Sequence, residues 1–434
     1  MNYQETLSFL FNSLPMYQRT GKAAYKANLD NTIALDESLG HPHTKFKSIH
    51  IAGTNGKGSV SHILASILQA AGYKTGLYTS PHLLDFRERI RVDGKMIDDK
   101  AVVEFVKKIR KEIETISPSF FEMTVAMAFD HFAKEKVDIA IIETGLGGRL
   151  DSTNIIQPEI AVITSISIDH SEFLGNTIKQ ISREKGGIIK NNTPLITLND
   201  NGDIAEVLSE ISADKNAFIC WANEIRKFKY QTFSIDQQAL FHFQNQELKK
   251  EEIIKTDLLG SYQSENLALA LATTDMLNKQ NWNIDKANIA SGLENVKKNT
   301  ALLGRWEILG ANPRIICDTA HNEAGIKAVV MQLEKIPCRE LHIVWGMVND
   351  KIIESILPLL PKTAIYYFTQ ASIPRSMPAE KLASISHEYG LSGNSYKLVD
   401  TAYRAALDAA NTDDTVFIGG STFIVADLLQ ILNN

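Results

Sequence analysis

The chain has 434 residues, enough for two hydrophobic cores rather than one. With 44% apolar and 22% charged residues it has the composition of a folded soluble protein, and a net charge of -6 argues against general attraction to nucleic acid or anionic membrane. Its three cysteines, Cys220, Cys317 and Cys338, are too widely spaced for a zinc or redox pair and read as small hydrophobes in a reducing compartment. No stretch reaches the roughly 18 uninterrupted apolar residues of a spanning helix. The start Met1-Asn2-Tyr3-Gln4-Glu5 lacks the basic opening of a signal peptide. A cytoplasmic protein is expected, with no membrane or nucleic-acid partner.

The first 45 residues read as helical, with loops around Leu14-Pro15 and Gly40-His41-Pro42-His43. An apolar strand pattern, Ser48 to Ala52, then enters Gly53-Thr54-Asn55-Gly56-Lys57-Gly58-Ser59, and Val60, Ile63, Leu64, Ile67 and Leu68 follow at helical spacing. Strand, glycine turn, lysine and helix together describe a phosphate cradle: backbone N–H groups converge on an anion, the helix N-terminus adds positive charge, and Lys57 reaches the outer phosphates. The order G-x-x-G-K-G-S makes it a variant P-loop, with a glycine between lysine and serine.

Lys74 to His82 reads as a short strand closed by Pro81, and Asp98-Asp99 as the start of a helix running to Pro118. Val137 to Glu143 and Ile160 to Ser165 are near-continuous apolar strands, the second leading to Asp169-His170, as in a parallel sheet covered on both faces. From about Thr193 to Leu259, Phe228, Tyr230, Phe233, Ile235, Leu240, Phe241 and Phe243 sit among polar residues and suggest an appended β-rich insertion. Helix returns from Ser264 to about Val296, and Lys297-Lys298-Asn299-Thr300 reads as a linker. A second alternation follows, with strands at Arg314–Asp318, Leu341–Gly346, Ala364–Phe368 and Thr415–Gly420.

Glu143 closes its strand where P-loop enzymes place a metal- or water-binding acid. A strand-end acid is by itself more often a solvated loop residue, but the glycines of Thr144-Gly145-Leu146-Gly147-Gly148-Arg149 allow close approach to a ligand. His170, at the end of the next strand, joins Glu143 and Ser80 as a candidate metal set. Composition alone does not set Lys185 apart within Arg183-Glu184-Lys185-Gly186-Gly187.

The P-loop variant, Thr79-Ser80-Pro81-His82-Leu83, Glu143-Thr144-Gly145-Leu146-Gly147-Gly148-Arg149-Leu150-Asp151 and Asp318-Thr319-Ala320-His321-Asn322 occur in the order found in folylpolyglutamate synthases and bacterial dihydrofolate synthases, which the chain resembles. These are ATP-dependent amide-forming enzymes of the Mur ligase superfamily. The resemblance implies ATP and Mg²⁺ as cofactors. It implies phosphate contacts from Asn55, Gly56, Lys57, Gly58 and Ser59, metal ligands Ser80, Glu143, His170 and Lys185, with Lys185 carried as a carbamate, and further ATP contacts at Asn266, Arg305 and Asp318. It also places His321 near the reaction centre beside Lys57 and Lys185, and a pterin pocket around Phe121 and Glu122, with Leu150, Asp151 and Ser152 as weaker candidates. Tyr262 stands where the family has histidine, and Leu302-Leu303 where it has proline.

The expected fold is α/β: a P-loop ATPase-like domain with a central, mostly parallel sheet over residues 1–297, including the insertion at about 193–259, and a smaller Rossmann-like C-terminal domain over 298–434. The expected function is ATP-dependent addition of L-glutamate to dihydropteroate, to reduced folates or to both, through an acyl phosphate, with ATP held by both domains and a monomeric chain. A Mur-type ligase acting on another carboxylate would keep the ATP and metal residues, and a nucleotide-regulated binding protein would keep the P-loop.

Overall fold

Strands β5 (Ile139–Glu143) and β6 (Ile160–Ile163) are apolar along almost their whole length because each is buried on both faces, and β1 (Lys47–Ala52) is buried from Ser48 to Ala52 although Ser48 and His50 are polar. With β2 (Thr75–Tyr78), β3 (Ile90–Val92), β4 (Lys95–Met96), β7 (Leu195–Thr197) and β8 (Ile219–Trp221) they form an eight-stranded sheet ordered β4-β3-β2-β5-β1-β6-β7-β8. The six strands from β2 to β8 in that order are parallel, and β3 and β4 form an antiparallel edge. The computed structural model describes residues 1–15, 28–233, 238–349 and 353–433.

Helix Lys57–Ala70 packs against β1, β2 and β5. Phe129 and Phe132 of helix Phe120–Glu135 share a core with Tyr78, Ala140 and Ile142, while Ile181, Ile188 and Leu208 pack with Ala52, Ala161 and Ile163. The chain goes from β1 to β2 on one side, returns to β5, and then crosses to β6 on the other side of β1. Ligands collect at such a reversal, outside the carboxyl ends of the strands.

Two compact units are formed, Met1–Asp257 with Gln263–Ala301, and Leu258–Tyr262 with Leu302–Asn434. The second contains β12 (Glu307–Ala311), β13 (Arg314–Cys317), β14 (Leu341–Trp345), β15 (Ile365–Phe368), β16 (Ser392–Ser395) and β17 (Thr415–Gly419), ordered β12-β13-β17-β14-β15-β16, with only β12 antiparallel.

Three sequence expectations change. Residues 193–221 belong to the parallel sheet rather than to the insertion, since β7 and β8 flank helix Asp203–Asp214 and continue from β6. Each of these strands has only three residues, too short for an apolar run to stand out. The added antiparallel sheet is β9 (Arg226–Phe233), β10 (Ala239–Asn245) and β11 (Lys250–Thr256), with Phe241 and Phe243 buried on β10. Secondly, the lysine-rich linker is a helix, Val296–Thr300, with Val296 and Thr300 buried four residues apart on one face. Thirdly, the helix expected up to Pro118 breaks at Ile109, giving Asp99–Lys108 and Arg110–Ile116. The expected helical opening is present at Tyr3–Ser13 and Asp30–Ser38; residues 16–27 and Ile235 lie outside the described residues.

Candidate active site

The phosphate loop leaves the carboxyl end of β1. Gly56 caps helix Lys57–Ala70 at φ 90°, a left-handed conformation, and a side chain there would run into Asn266. Gly53 is likewise left-handed, and a Cβ on it would strike the Thr164 hydroxyl. The loop is therefore a cradle lined by backbone. Thr54 donates its N–H to the Ser165 carbonyl at 2.7 Å, and the Asn55 carbonyl accepts from the Thr164 hydroxyl at 2.7 Å. From helix Gln263–Lys279, Gln263 donates to the buried Ser59 hydroxyl at 3.3 Å and accepts from Asn266 at 2.7 Å. The Lys57 ammonium folds back onto the carbonyls of Gly53 and Thr54, at 3.1 and 3.2 Å. Gly58 follows it in the first turn. A helix N-terminus entered through two left-handed glycines, with Lys57 at its first position, fits a polyphosphate.

The other candidates follow the carboxyl ends of the parallel strands β2, β5 and β6, His170 seven residues beyond the last of these. Ser80 follows β2, and its N–H donates to Glu143 Oε2 at 3.4 Å. Glu143, 4% exposed, ends β5 opposite Ile51 of β1. His170 lies beyond the end of β6, at φ 51° as the cap of a one-turn helix, with its N–H bonded to the Asp169 carboxylate at 2.9 Å. A hydroxyl, a carboxylate and an imidazole suit a hard cation such as Mg²⁺.

Lys185, 3% exposed, lies in the last turn of helix Ile178–Gly186 and donates its ammonium to the Gly53 carbonyl at 2.8 Å. Burial, then the nearby Lys57 charge, pushes its pKa down to about 7. Lys185 and Lys57 thus share one acceptor, the Gly53 carbonyl, which lies 132 residues before Lys185.

The glycine segment after β5 is held by Asp151. Its carboxylate accepts from the N–H groups of Gly145 and Leu146, both at 2.8 Å, and from Thr153 N at 3.0 Å. Burial raises the Asp151 pKa, although these bonds favour the charged form. Asp151 thus shapes the loop, while Leu150 and Ser152 on either side are part-exposed. The ring of Phe121 lies against Gly145 and 6.1 Å from that of Tyr78. Glu122 closes a capping box: its carboxylate accepts from Ser119 N at 2.6 Å while Ser119 Oγ accepts from Glu122 N at 3.2 Å. Asn31 adds a donor at 3.2 Å, so Glu122 is engaged with its own chain.

In the second unit, Asp318 follows β13 and is buried. Its carboxylate accepts from the Tyr262 hydroxyl and, at 2.8 Å, from the N–H groups of Trp306 and Ala320. Burial raises its pKa, opposed by the Tyr262 bond and the Arg305 charge. Tyr262 thus acts as a donor to one of the expected ATP contacts. Arg305 is bonded to the Gly304 carbonyl at 3.3 Å, and His321 Nδ1 lies 3.1 Å from the Thr319 carbonyl on the loop that carries Asp318.

Sequence reasoning passed over Arg89. It is 3% exposed, donates to His82 Nδ1 at 2.8 Å and sits 5.3 Å from the centre of the Phe120 ring, within electrostatic reach of Glu143. The only signal was a cation among the alternating residues Arg89-Ile90-Arg91, which also suits a strand with one wet face. Gln263 has no sequence signal of its own; its bond to Ser59 is visible only in three dimensions.

The family description "Mur ligase middle domain" matches residues 51–274, and "Mur ligase, glutamate ligase domain" matches 304–422. The Bacillus subtilis dihydrofolate synthase/folylpolyglutamate synthase is 33% identical over 99% of both chains. The Lacticaseibacillus casei folylpolyglutamate synthase is 30% identical over 100% of this chain and 99% of its own. Among solved structures, Mycobacterium tuberculosis folylpolyglutamate synthase complexed with ADP and AMPPCP superimposes with a TM-score of 0.87 at 28% identity, covering 100% of this chain and 99% of that one. E. coli FolC in complex with DHPP and ADP gives 0.86 at 29% identity, covering 100% and 98%. Order of motifs, sheet topology and full-length similarity agree, and the chain belongs to the folylpolyglutamate synthase and dihydrofolate synthase family of Mur ligases.

Proposed function

We propose that the protein joins L-glutamate to dihydropteroate and to reduced folates at the expense of ATP. The observation that carries this reading is the buried Lys185 ammonium bonded to the phosphate loop beside Lys57. A plain nucleotide-binding loop has no need of a second, desolvated lysine, and a ligase that must hold a metal there does. An amine with a pKa near 7 is substantially neutral at physiological pH, and its lone pair adds to CO₂ with loss of one proton, leaving a carbamate oxygen donor.

In the proposed reaction, a substrate carboxylate oxygen attacks the γ-phosphorus, ADP leaves, and the glutamate amine then displaces phosphate from the acyl phosphate. Lys57 and the loop N–H groups would offset charge on the transferring oxygens, and Ser80, Glu143, His170 and a carbamylated Lys185 would hold Mg²⁺, which would supply Lewis-acid neutralisation of the phosphates. Asn55, Gly56, Gly58, Ser59 and Asn266 line the phosphate site. Arg305 and Asp318 are assigned to ATP and His321 to the reaction centre. Phe121, backed by Gly145, offers a flat face for a pterin, and Leu150 and Ser152 its rim. Asp151 and Glu122 support that pocket by fixing its backbone. A monomeric, cytoplasmic enzyme is part of the same proposal; no helix among the described residues is long and apolar enough to cross a membrane.

The test is ADP release with ATP, Mg²⁺ and glutamate, comparing dihydropteroate, tetrahydrofolate and neither, with product masses recorded. Turnover requiring a pterin and glutamate is expected, and Lys57→Ala should lower it by about two orders of magnitude or more. ADP release indifferent to the pterin, or unimpaired by Lys57→Ala, would overturn the reading.

A further inference from the structure

A second cluster of ligand-type side chains lies at the opposite edge of the first sheet, ahead of β1, a strand whose six residues span about 20 Å. Asp36, near the end of helix Asp30–Ser38, has a carboxylate only 7% exposed, and each of its oxygens faces one histidine: His41 Nδ1 lies 2.9 Å from Oδ2 and His43 Nδ1 2.7 Å from Oδ1. One ligand atom from each of the three residues falls within a span of 4.8 Å. The backbone builds this convergence. Gly40 and His41 are consecutive left-handed residues, at φ 75° and 53°, and turn the chain back so that His41 N donates to the Asp36 carbonyl at 2.9 Å. Pro42 then opens a 3₁₀ turn, Pro42–Thr44, which brings His43 round to the same carboxylate. A cation would therefore meet three ligands that are already assembled.

We propose that Asp36, His41 and His43 form a transition-metal site, with Zn²⁺ as the chemical type, clipping the turn that leads into β1. Two imidazoles and one carboxylate match the borderline donor preference of Zn²⁺, and a fourth position stays open to water through His41, which is 56% exposed. Metal binding moves the N–H of each neutral ring from Nδ1 to Nε2, where solvent can accept it, and displaces a proton from any ring that is charged, so affinity falls with falling pH. The donor set differs from that proposed for Mg²⁺, which is weighted toward oxygen, and the inference does not depend on the ligase reading.

The full-length protein, stripped of metal and kept free of nucleotide, is titrated with Zn²⁺ by calorimetry and with Co²⁺ by its visible ligand-field band. One saturable equivalent is expected, with a higher melting temperature in Zn²⁺. His43→Gln and His41→Gln should each weaken binding by at least about tenfold, the cost of losing even a supporting contact in such sites. Glu143→Gln should leave the Co²⁺ band unchanged, which separates this site from the one beside the phosphate loop. His41→Gln changes a largely exposed side chain, so its fold is expected to persist and the measurement remains decisive if His43→Gln unfolds. Absence of saturable binding, unchanged affinity in His41→Gln, or loss of the band in Glu143→Gln instead would overturn the proposal.

Discussion

The burial of Lys185 is the feature of the candidate site hardest to see in one dimension. In sequence Lys185 sits in a charged helix end before two glycines, the usual description of a solvated terminus, yet it is 3% exposed and bonded to Gly53. Desolvation and the Lys57 charge bring its pKa to about 7. Its readiness to take up CO₂ should accordingly rise between pH 6 and 8, as the ammonium loses its proton. Ligase assays at pH 8 in CO₂-depleted buffer are expected to be slow and to recover on adding bicarbonate, with less recovery at pH 6. Lys185→Ala should lose activity under all these conditions and regain part of it in acetate, whose carboxylate can occupy the vacated space. Initial rates of ADP release check both outcomes.

At the scale of an element, helix Phe120–Glu135 shows one four-residue pattern serving two readings. Family resemblance leads to the expectation of Phe121 and Glu122 in a pterin pocket, and Ser119 with Glu122 is also the S-x-x-E box that starts a helix. The structure commits the Glu122 carboxylate to Ser119 N and Asn31. Glu122→Gln, which can still accept from Ser119 N, is expected to melt close to the wild type and keep its KM for the pterin. Glu122→Ala should cost about 1 kcal/mol, the usual scale of a lost cap, seen as a lower denaturation midpoint. A pterin KM raised equally by both variants would instead make Glu122 a substrate contact.

For the whole molecule, Asp257 is the last residue of the first unit before the chain enters Leu258–Tyr262 of the second. It accepts from Lys297 N at 2.8 Å, and burial raises its pKa to about 6. A carboxylate whose folded pKa exceeds its unfolded value contributes stability that is fully present below the unfolded pKa, near 4, and lost as pH rises through about 6. Asp257→Asn should flatten stability over that window and leave the variant relatively more stable at pH 8, as urea denaturation at pH 4 and 8 would register. The alternation of buried strands and helices, the glycine loop before Lys57 and the strand-end position of Glu143 were legible in the residues alone, because period, glycine spacing and unbroken apolar runs are local properties. That residues 193–221 extend the parallel sheet and that Val296–Thr300 is a packed helix emerge only in three dimensions. So do the commitment of Asp151 and Glu122 to backbone N–H groups and the meeting of Lys185 with Lys57 over the Gly53 carbonyl. The sheet extension and the meeting of Lys185 with Lys57 depend on residues distant in sequence, which no local pattern contains; the Asp151 and Glu122 bonds are local, but the residue types alone suit a ligand contact as well as a bond to the chain's own N–H groups.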